Sequence, residues 1–266
     1  MVRTTEYLAY RVIGSPLEPA LRTVRDCKES WYRLRGKYPE WHALWNEKRA
    51  IEQVLCRLIQ PRMNCLDIGC HLGAMLSRLC RYAPHGKHTA FEPTPYKAAW
   101  LRKKYPSVAI EELALSDTPG KATFHLYEGK SGFNSLRPNR WMDMQPQGVT
   151  VQCVRLDDLI TPRERIGFIK VDVEGGELAV LRGATALLRR DHPSILFEST
   201  LGGLEAFDLT PQHLYDFLTE NDYQIFVCAD WLAGRPALGA ATFAQLHQPP
   251  VQALNFLALP KDYATI

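Results

Sequence analysis

Apolar residues in the first third of the chain recur at helical spacing. Between Trp41 and Ile59 they put Leu44, Trp45, Ile51, Val54, Leu55 and Leu58 on one face, and Ser15-Pro16 opens an earlier helical run to Arg35. From Met63 the pattern changes to short apolar runs alternating with helical stretches, as expected for a parallel sheet with crossover helices. Strands are predicted at 64–68, 88–92, 108–115, 166–172 and 194–198, with helices near 72–83, 95–105 and 176–190. An insertion after the third strand alternates at Lys121–Tyr127 and Val149–Val154, which predicts an antiparallel addition to the sheet. The polar stretch Gly129–Gly148 between them reads as a loop or lid. Further on, Gly202–Thr210 reads as a loop and Pro211–Glu220 as a helix capped by Thr210. Tyr223–Val227 and Leu254–Leu259 read as strands. The expectation is an α/β fold with helices on both faces of a mostly parallel sheet. It consists of an N-terminal helical extension over 1–60 and one main domain over 61–266.

Composition narrows this picture. Of 266 residues, 46% are hydrophobic and 23% charged, as in ordinary globular proteins, and a net charge of +3 with dispersed cations does not point to a nucleic-acid partner. The densest basic run, Arg22 to Arg35, is interleaved with Trp31 and Tyr32. It reads as an amphipathic helix with a solvated basic face, or as a surface for an acidic or sugar partner. Seven cysteines without a C-x-x-C pair argue against both a disulfide framework and a zinc site, and suit a reducing cytoplasm. No signal-peptide pattern or membrane-spanning stretch is visible.

Chemistry gathers where strands end. In an open parallel sheet, ligands bind beyond the carboxyl ends of the strands. Asp67 ends the first strand, Glu92 the second, Asp172 with Glu174 the fourth and Glu198 the fifth; Asp117 follows the third. A carboxylate at the glycine turn Asp67-Ile-Gly69-Cys70-His71-Leu-Gly73 repels a pyrophosphate and suits a cation, such as the sulfonium and ammonium of S-adenosylmethionine. Glu92 stands at the interval suited to holding ribose hydroxyls, while Asp117 and the backbone of Ser116 could read an adenine ring. If the strand persists, period-two alternation puts Lys170, Asp172 and Glu174 on one side before Gly175-Gly176 turns the chain. Ser131, Phe133, Asn134, Ser135, Arg137 and Trp141 in the loop are candidates for contact with an acceptor. Trp31, Trp41 and Trp45 could offer faces to sugar rings or serve as core.

Together these strings resemble the ordered motifs of the FkbM family of S-adenosylmethionine-dependent methyltransferases. They comprise the Asp67 turn, Phe91-Glu92-Pro93-Thr-Pro95, Ala114-Leu-Ser116-Asp117, Leu156-Asp-Asp158-Leu, Phe168-Ile-Lys170-Val-Asp172-Val-Glu174-Gly-Gly-Glu177, Leu181-Arg-Gly183 and Phe197-Glu198. The match spans about 64–200, with Asn255–Pro260 resembling the closing strand. Cys70 and His71 depart from the family's usual Ala-Asn pair. The resemblance implies a class I, Rossmann-like methyltransferase fold, a seven-stranded sheet with one antiparallel strand, and O-methylation of hydroxyls on sugars, glycolipids or secondary metabolites. It assigns S-adenosyl-L-methionine to Asp67, Gly69, Cys70, His71, Gly73, Glu92, Pro93, Ser116, Asp117 and Asp172. The base would be Asp172 or Glu198, with Lys170 and Glu174 shaping the acceptor side. No compact metal-ligand motif is present, although a divalent ion at Asp172 and Glu198 would be a variant of the same chemistry. The alternatives are a nicotinamide-dependent reductase, disfavoured by the missing G-x-G-x-x-G, and a non-catalytic module binding cofactor or sugar.

Overall fold

A computed structural model of the chain describes residues 2–36 and 42–263; Trp41 lies outside them. Three helices come first, α1 (Val2–Val12), α2 (Glu18–Leu34) and α3 (His42–Leu58). Then β1 (Cys65–Ile68), α4 (Ala74–Tyr82), β2 (His88–Phe91), α5 (Pro95–Lys104) and β3 (Ala109–Glu111) alternate. The insertion holds β4 (Ala114–Leu115), β5 (Gly120–Leu126) and β6 (Gln147–Val154). The alternation resumes with β7 (Phe168–Val171), α6 (Glu177–Arg182), α7 (Thr185–Asp191), β8 (Ser194–Glu198) and α8 (Leu201–Ala206). The chain closes with α9 (Pro211–Glu220), β9 (Tyr223–Val227), α10 (Cys228–Leu232), α11 (Ala240–Leu246) and β10 (Asn255–Pro260).

Seven strands form one sheet in the order β3-β2-β1-β7-β8-β10-β9, with β10 antiparallel to both its neighbours. The winding reverses between β1 and β7, which are paired in parallel register with Asp67 beside Lys170. A cleft for a ligand therefore opens beyond the ends of these two strands.

Alternation along the central strands divides the core in two. Leu66, Ile68, Ile169, Val171, Ile195 and Phe197 pack with α6, α7 and α9. Their neighbours Cys65, Phe168 and Leu196 meet Ile51, Val54, Leu55 and Leu58 of α3 on the opposite side. Helix α3 is thus one of the layers that bury the sheet, and only α1 and α2 extend beyond it. Glu47 ties this helix to β10 by accepting the backbone N–H groups of Leu254 and Asn255 at 2.7 and 2.9 Å. Helix α1 lies on α5: Tyr7 and Tyr10 contact the Trp100 ring at 5.2 and 5.5 Å, and the Tyr10 hydroxyl donates to the Trp100 carbonyl.

Four local expectations are corrected. The stretch 108–115 is two strands, because the chain leaves the edge of the main sheet at Glu112-Leu113 and Ala114–Leu115 pair with β6 instead. The insertion is accordingly a separate three-stranded sheet, β4-β6-β5. The helix of 176–190 breaks at Gly183, where a Cβ would lie 2.4 Å from the Ser116 carbonyl oxygen. The stretch 202–210 opens as helix α8, capped by Thr200, whose hydroxyl accepts the Gly203 N–H. Its glycines permit close packing, since a Cβ on Gly203 would meet the Gly175 Cα at 3.1 Å.

Candidate active site

Most of the strand-end acids converge on a cavity of about 190 Å³. Gly69, Glu92, Pro93, Asp172, Glu174 and Glu198 all line it. A second cavity on the α3 side shares Gly69, His71, Asp172 and Glu198 with the first, and adds Asp67, Cys70 and Lys170.

The turn after β1 has no room for a side chain at Gly69. There φ is +78°, and a Cβ would sit 1.8 Å from the Asp172 carbonyl oxygen. This close approach brings the ends of β1 and β7 together. His71 follows in the left-handed region, with φ +51°, and donates its backbone N–H to Glu92 Oε2 at 2.9 Å. Thr94 donates its backbone N–H to the other oxygen at 2.8 Å, so the buried Glu92 carboxylate is fixed from both sides. Burial raises the Glu92 pKa, and Lys97 works against that rise.

Asp67 is fully buried, and its Oδ2 has no hydrogen-bond partner among the described residues. Burial drives its pKa to about 7, with the negative charges of Asp172 and Glu92 adding to the rise and Lys170 opposing it. A buried carboxylate with an unsatisfied oxygen is costly unless a ligand completes it.

Strand β7 stops at Val171, so alternation does not carry through to Glu174. Glu174 reaches the site through a left-handed turn, with φ +58°, and Gly175 follows at φ +104°. Glu177 closes this turn by accepting the N–H groups of Val173 and Gly175 at 3.0 and 3.2 Å. As a result, carboxylate oxygens of Asp172, Glu174 and Glu198 lie within 4.8 Å of one another. Burial lifts Glu174 to about 8, helped by the charges of Asp172 and Glu177, and lifts Glu198 well above the usual carboxylate range, helped by Asp172. Lys170 stands beneath them, its Nζ 3.4 Å from Asp172 Oδ2 and donating to the Val171 carbonyl and Asn255 Oδ1 at 3.2 and 3.1 Å. Burial alone would lower its pKa, but Asp172, Glu198 and Asp67 together hold it above the ordinary lysine value.

The insertion loop covers part of the cavity. Ser131, Gly132, Asn134 and Leu136 line it, and Ser131 Oγ lies 2.8 Å from His71 Nε2. Burial and nearby Lys97 bring the His71 pKa down to about 4, so its ring is neutral near pH 7. The Ser135 hydroxyl donates to the Glu174 carbonyl at 2.9 Å, and Trp141 Nε1 donates to Glu205 at 2.9 Å. These bonds fasten the loop to the rim.

Three assigned positions stand apart. Ser116 and Asp117 line a different depression with Thr118 and Lys121, because the chain crosses to the small sheet at Ala114 and carries them outward. Leu113, Ala114 and Leu115 line the main cavity in their place. Gly73 lines neither cavity; it admits the side chains of Leu101 and Tyr105 against the start of α4. Conversely, sequence reasoning missed Lys97, a fully buried lysine lining the cavity, and Asn255. Lys97 sits in the first turn of α5 and reads in sequence as an ordinary exposed helix lysine. Glu177 had a visible signal, an acid two residues after Gly175 where the turn needs its N–H groups capped.

The fold is of the class I, Rossmann-like methyltransferase type, with the winding reversed between β1 and β7. The profile described as the Methyltransferase FkbM domain matches residues 67–225, and the chain belongs to that family. Among solved structures, the methyltransferase FkbM from Methylobacillus flagellatus is 16% identical at a TM-score of 0.45, covering 76% of this chain and 44% of that one. This chain therefore spans less than half of that protein's length. The plantazolicin methyltransferase BpumL, in complex with S-adenosylhomocysteine, is 12% identical at 0.39, covering 97% and 95%. A fibrillarin pre-rRNA processing protein from Methanococcus jannaschii is 9% identical at 0.42, covering 77% and 69%. No curated protein sequence matches the chain. The cofactor fits the residues present: an orphaned acid at Asp67, a turn at Gly69 that excludes side chains, and a pinned acid at Glu92.

Proposed function

We propose that this methyltransferase is an O-methyltransferase, acting on a hydroxyl of a sugar, glycolipid or other secondary metabolite. The observation that carries the reading is the group of three carboxylates, Asp172, Glu174 and Glu198, next to Lys170 where the two cavities meet. A hydroxyl is a poor nucleophile until its proton leaves, and a carboxylate within hydrogen-bond reach takes that proton during attack. Asp172 is the base in this reading. Lys170 holds it in place at 3.4 Å from Oδ2, with Glu198 and Glu174 beside it.

S-adenosylmethionine supplies a methyl group on a positively charged sulfur. Asp67 binds its cationic end, Glu92 its ribose, and Leu113 to Leu115 its base. Such positioning is worth on the order of 7–11 kcal/mol in well-aligned displacements. Glu174 and the loop residues Ser131 and Asn134 shape the acceptor side. Cytoplasmic work suits seven cysteines none of which is bridged, and no described helix is long and apolar enough to cross a membrane.

Labelled methyl transfer into glycosides, glycolipids and hydroxylated small molecules, with RNA as a counter-acceptor, tests the reading. Label in an ether product supports it; label confined to RNA or to nitrogen overturns it. On an accepted substrate, Asp172→Asn lowers kcat by roughly 10²–10⁴-fold with cofactor affinity retained. Full turnover in both Asp172→Asn and Glu198→Gln would remove the carboxylate base.

A further inference from the structure

Helix α2 is turned the wrong way round for a helix of a solitary globule. Its sheltered side carries charge: Glu29 is buried and lies 3.8 Å from Lys48, while Glu18 and Asp26 are partly covered. Its open side is apolar. Leu17, just before the helix, and Val24 are each 65% exposed, Leu34 is 88% exposed, and Leu21 and Trp31 are exposed beside them. At 100° per residue these five positions fall within a single arc, so they form one continuous stripe.

The charges within this arc are of one sign. Lys28 and Arg35 are exposed among the apolar side chains, and Arg35 lies over the Trp31 ring at 4.7 Å. Among the described residues between Leu17 and Gly36, no exposed one is acidic. The described cations Lys28 and Arg35 thus border an apolar surface. Two copies meeting through this stripe would set like charges opposite one another, whereas an anionic surface would neutralise them.

We infer that α2 lies in the headgroup layer of an anionic phospholipid membrane. Leu17, Leu21, Val24 and Leu34 enter the acyl boundary, and Lys28 and Arg35 meet the lipid phosphates. A tryptophan with a guanidinium over its ring has the apolar body and polar edge that settle at this interface. Both parts of the interaction are needed, since a short apolar stripe alone binds weakly and a pair of cations alone is screened by salt. Adhesion of this kind does not depend on methyl transfer, so it stands or falls separately from the acceptor chemistry.

Flotation of the full chain with vesicles of phosphatidylcholine, alone or with phosphatidylglycerol, is the test. Partitioning onto the mixed vesicles exceeds that onto the neutral ones by on the order of tenfold at low salt, and falls as salt is raised. Val24→Asp with Leu34→Asp abolishes it. Lys28→Glu with Arg35→Glu removes the lipid preference while circular dichroism and S-adenosylhomocysteine binding stay as in the parent. Equal partitioning onto both vesicle types, or partitioning that survives both double variants, overturns the inference. So does sedimentation showing self-association that Val24→Asp dissolves, which would assign the stripe to a second copy.

Discussion

Asp67 and Lys170 are register partners on adjacent parallel strands, yet the lysine turns its hydrogen bonds to Val171 and Asn255 and pairs with Asp172, leaving Asp67 Oδ2 unsatisfied. This is an acid awaiting a cation. Asp67→Asn relieves a buried charge, so the ligand-free protein gains on the order of 1–3 kcal/mol at pH 8. Cofactor affinity falls roughly 10- to 100-fold, by the loss of a charge-assisted contact. Thermal unfolding and calorimetry with S-adenosylhomocysteine and S-adenosylmethionine read the two effects; unchanged affinity for both would detach Asp67 from the cofactor.

Cofactor binding also moves a proton. Asp67 has a pKa near 7 in the free site, and a cation placed beside it favours the ionised form. Binding therefore releases protons below about pH 7, and affinity rises with pH up to that point. Titrations in two buffers of different ionisation enthalpy give the proton count directly.

Stability runs the other way. Glu174 and Glu177 have ordinary values of 4.5 raised to about 8 and about 7 by burial. Between those limits the folded chain binds more protons than the unfolded one, so stability falls as pH rises from about 5 to about 8. Glu174→Gln flattens this decline and retains roughly 1–3 kcal/mol at pH 8 relative to the parent. Denaturant midpoints across that interval measure it.

Gly69→Ala tests the approach of β1 to β7. A methyl group there would sit 1.8 Å from the Asp172 carbonyl oxygen, in a backbone conformation that side chains avoid. The two strand ends must separate, at a cost of about 2–4 kcal/mol in stability. Both the cofactor site and the Asp172 base shift with it, so binding and turnover are lost together.

Lys97→Met removes the cation that opposes the pKa rise of Glu92. Glu92 then holds its proton to higher pH. Cofactor affinity drops several-fold at the acid end of the pH range and recovers toward the parent value as pH rises. A loss independent of pH would mean that Lys97 acts by packing instead.

The central strands and the acids at their ends were legible because buried parallel strands read as short apolar runs, and an acid at such an end has few structural uses. Three kinds of feature were not. Glu174 comes to the site through a left-handed turn, which period-two counting cannot follow. Gly202 and Gly203 read as loop residues because propensity registers their flexibility and not the backbone they let in. Lys97 and the outward apolar stripe of α2 depend on which side of a helix the rest of the chain covers, and amphipathic spacing alone leaves that open. The outward position of Ser116 and Asp117 was likewise hidden, since a crossover between two sheets leaves no mark in local periodicity.

Gly202 lies under the Trp141 ring, and Gly203 touches Gly175 backbone to backbone. Nothing compressible separates them. Side chains larger than hydrogen at either glycine would therefore push Trp141 off the rim or drive α8 away from the turn that carries Glu174, so two missing methyl groups set how closely the loop, the helix and the acids nest.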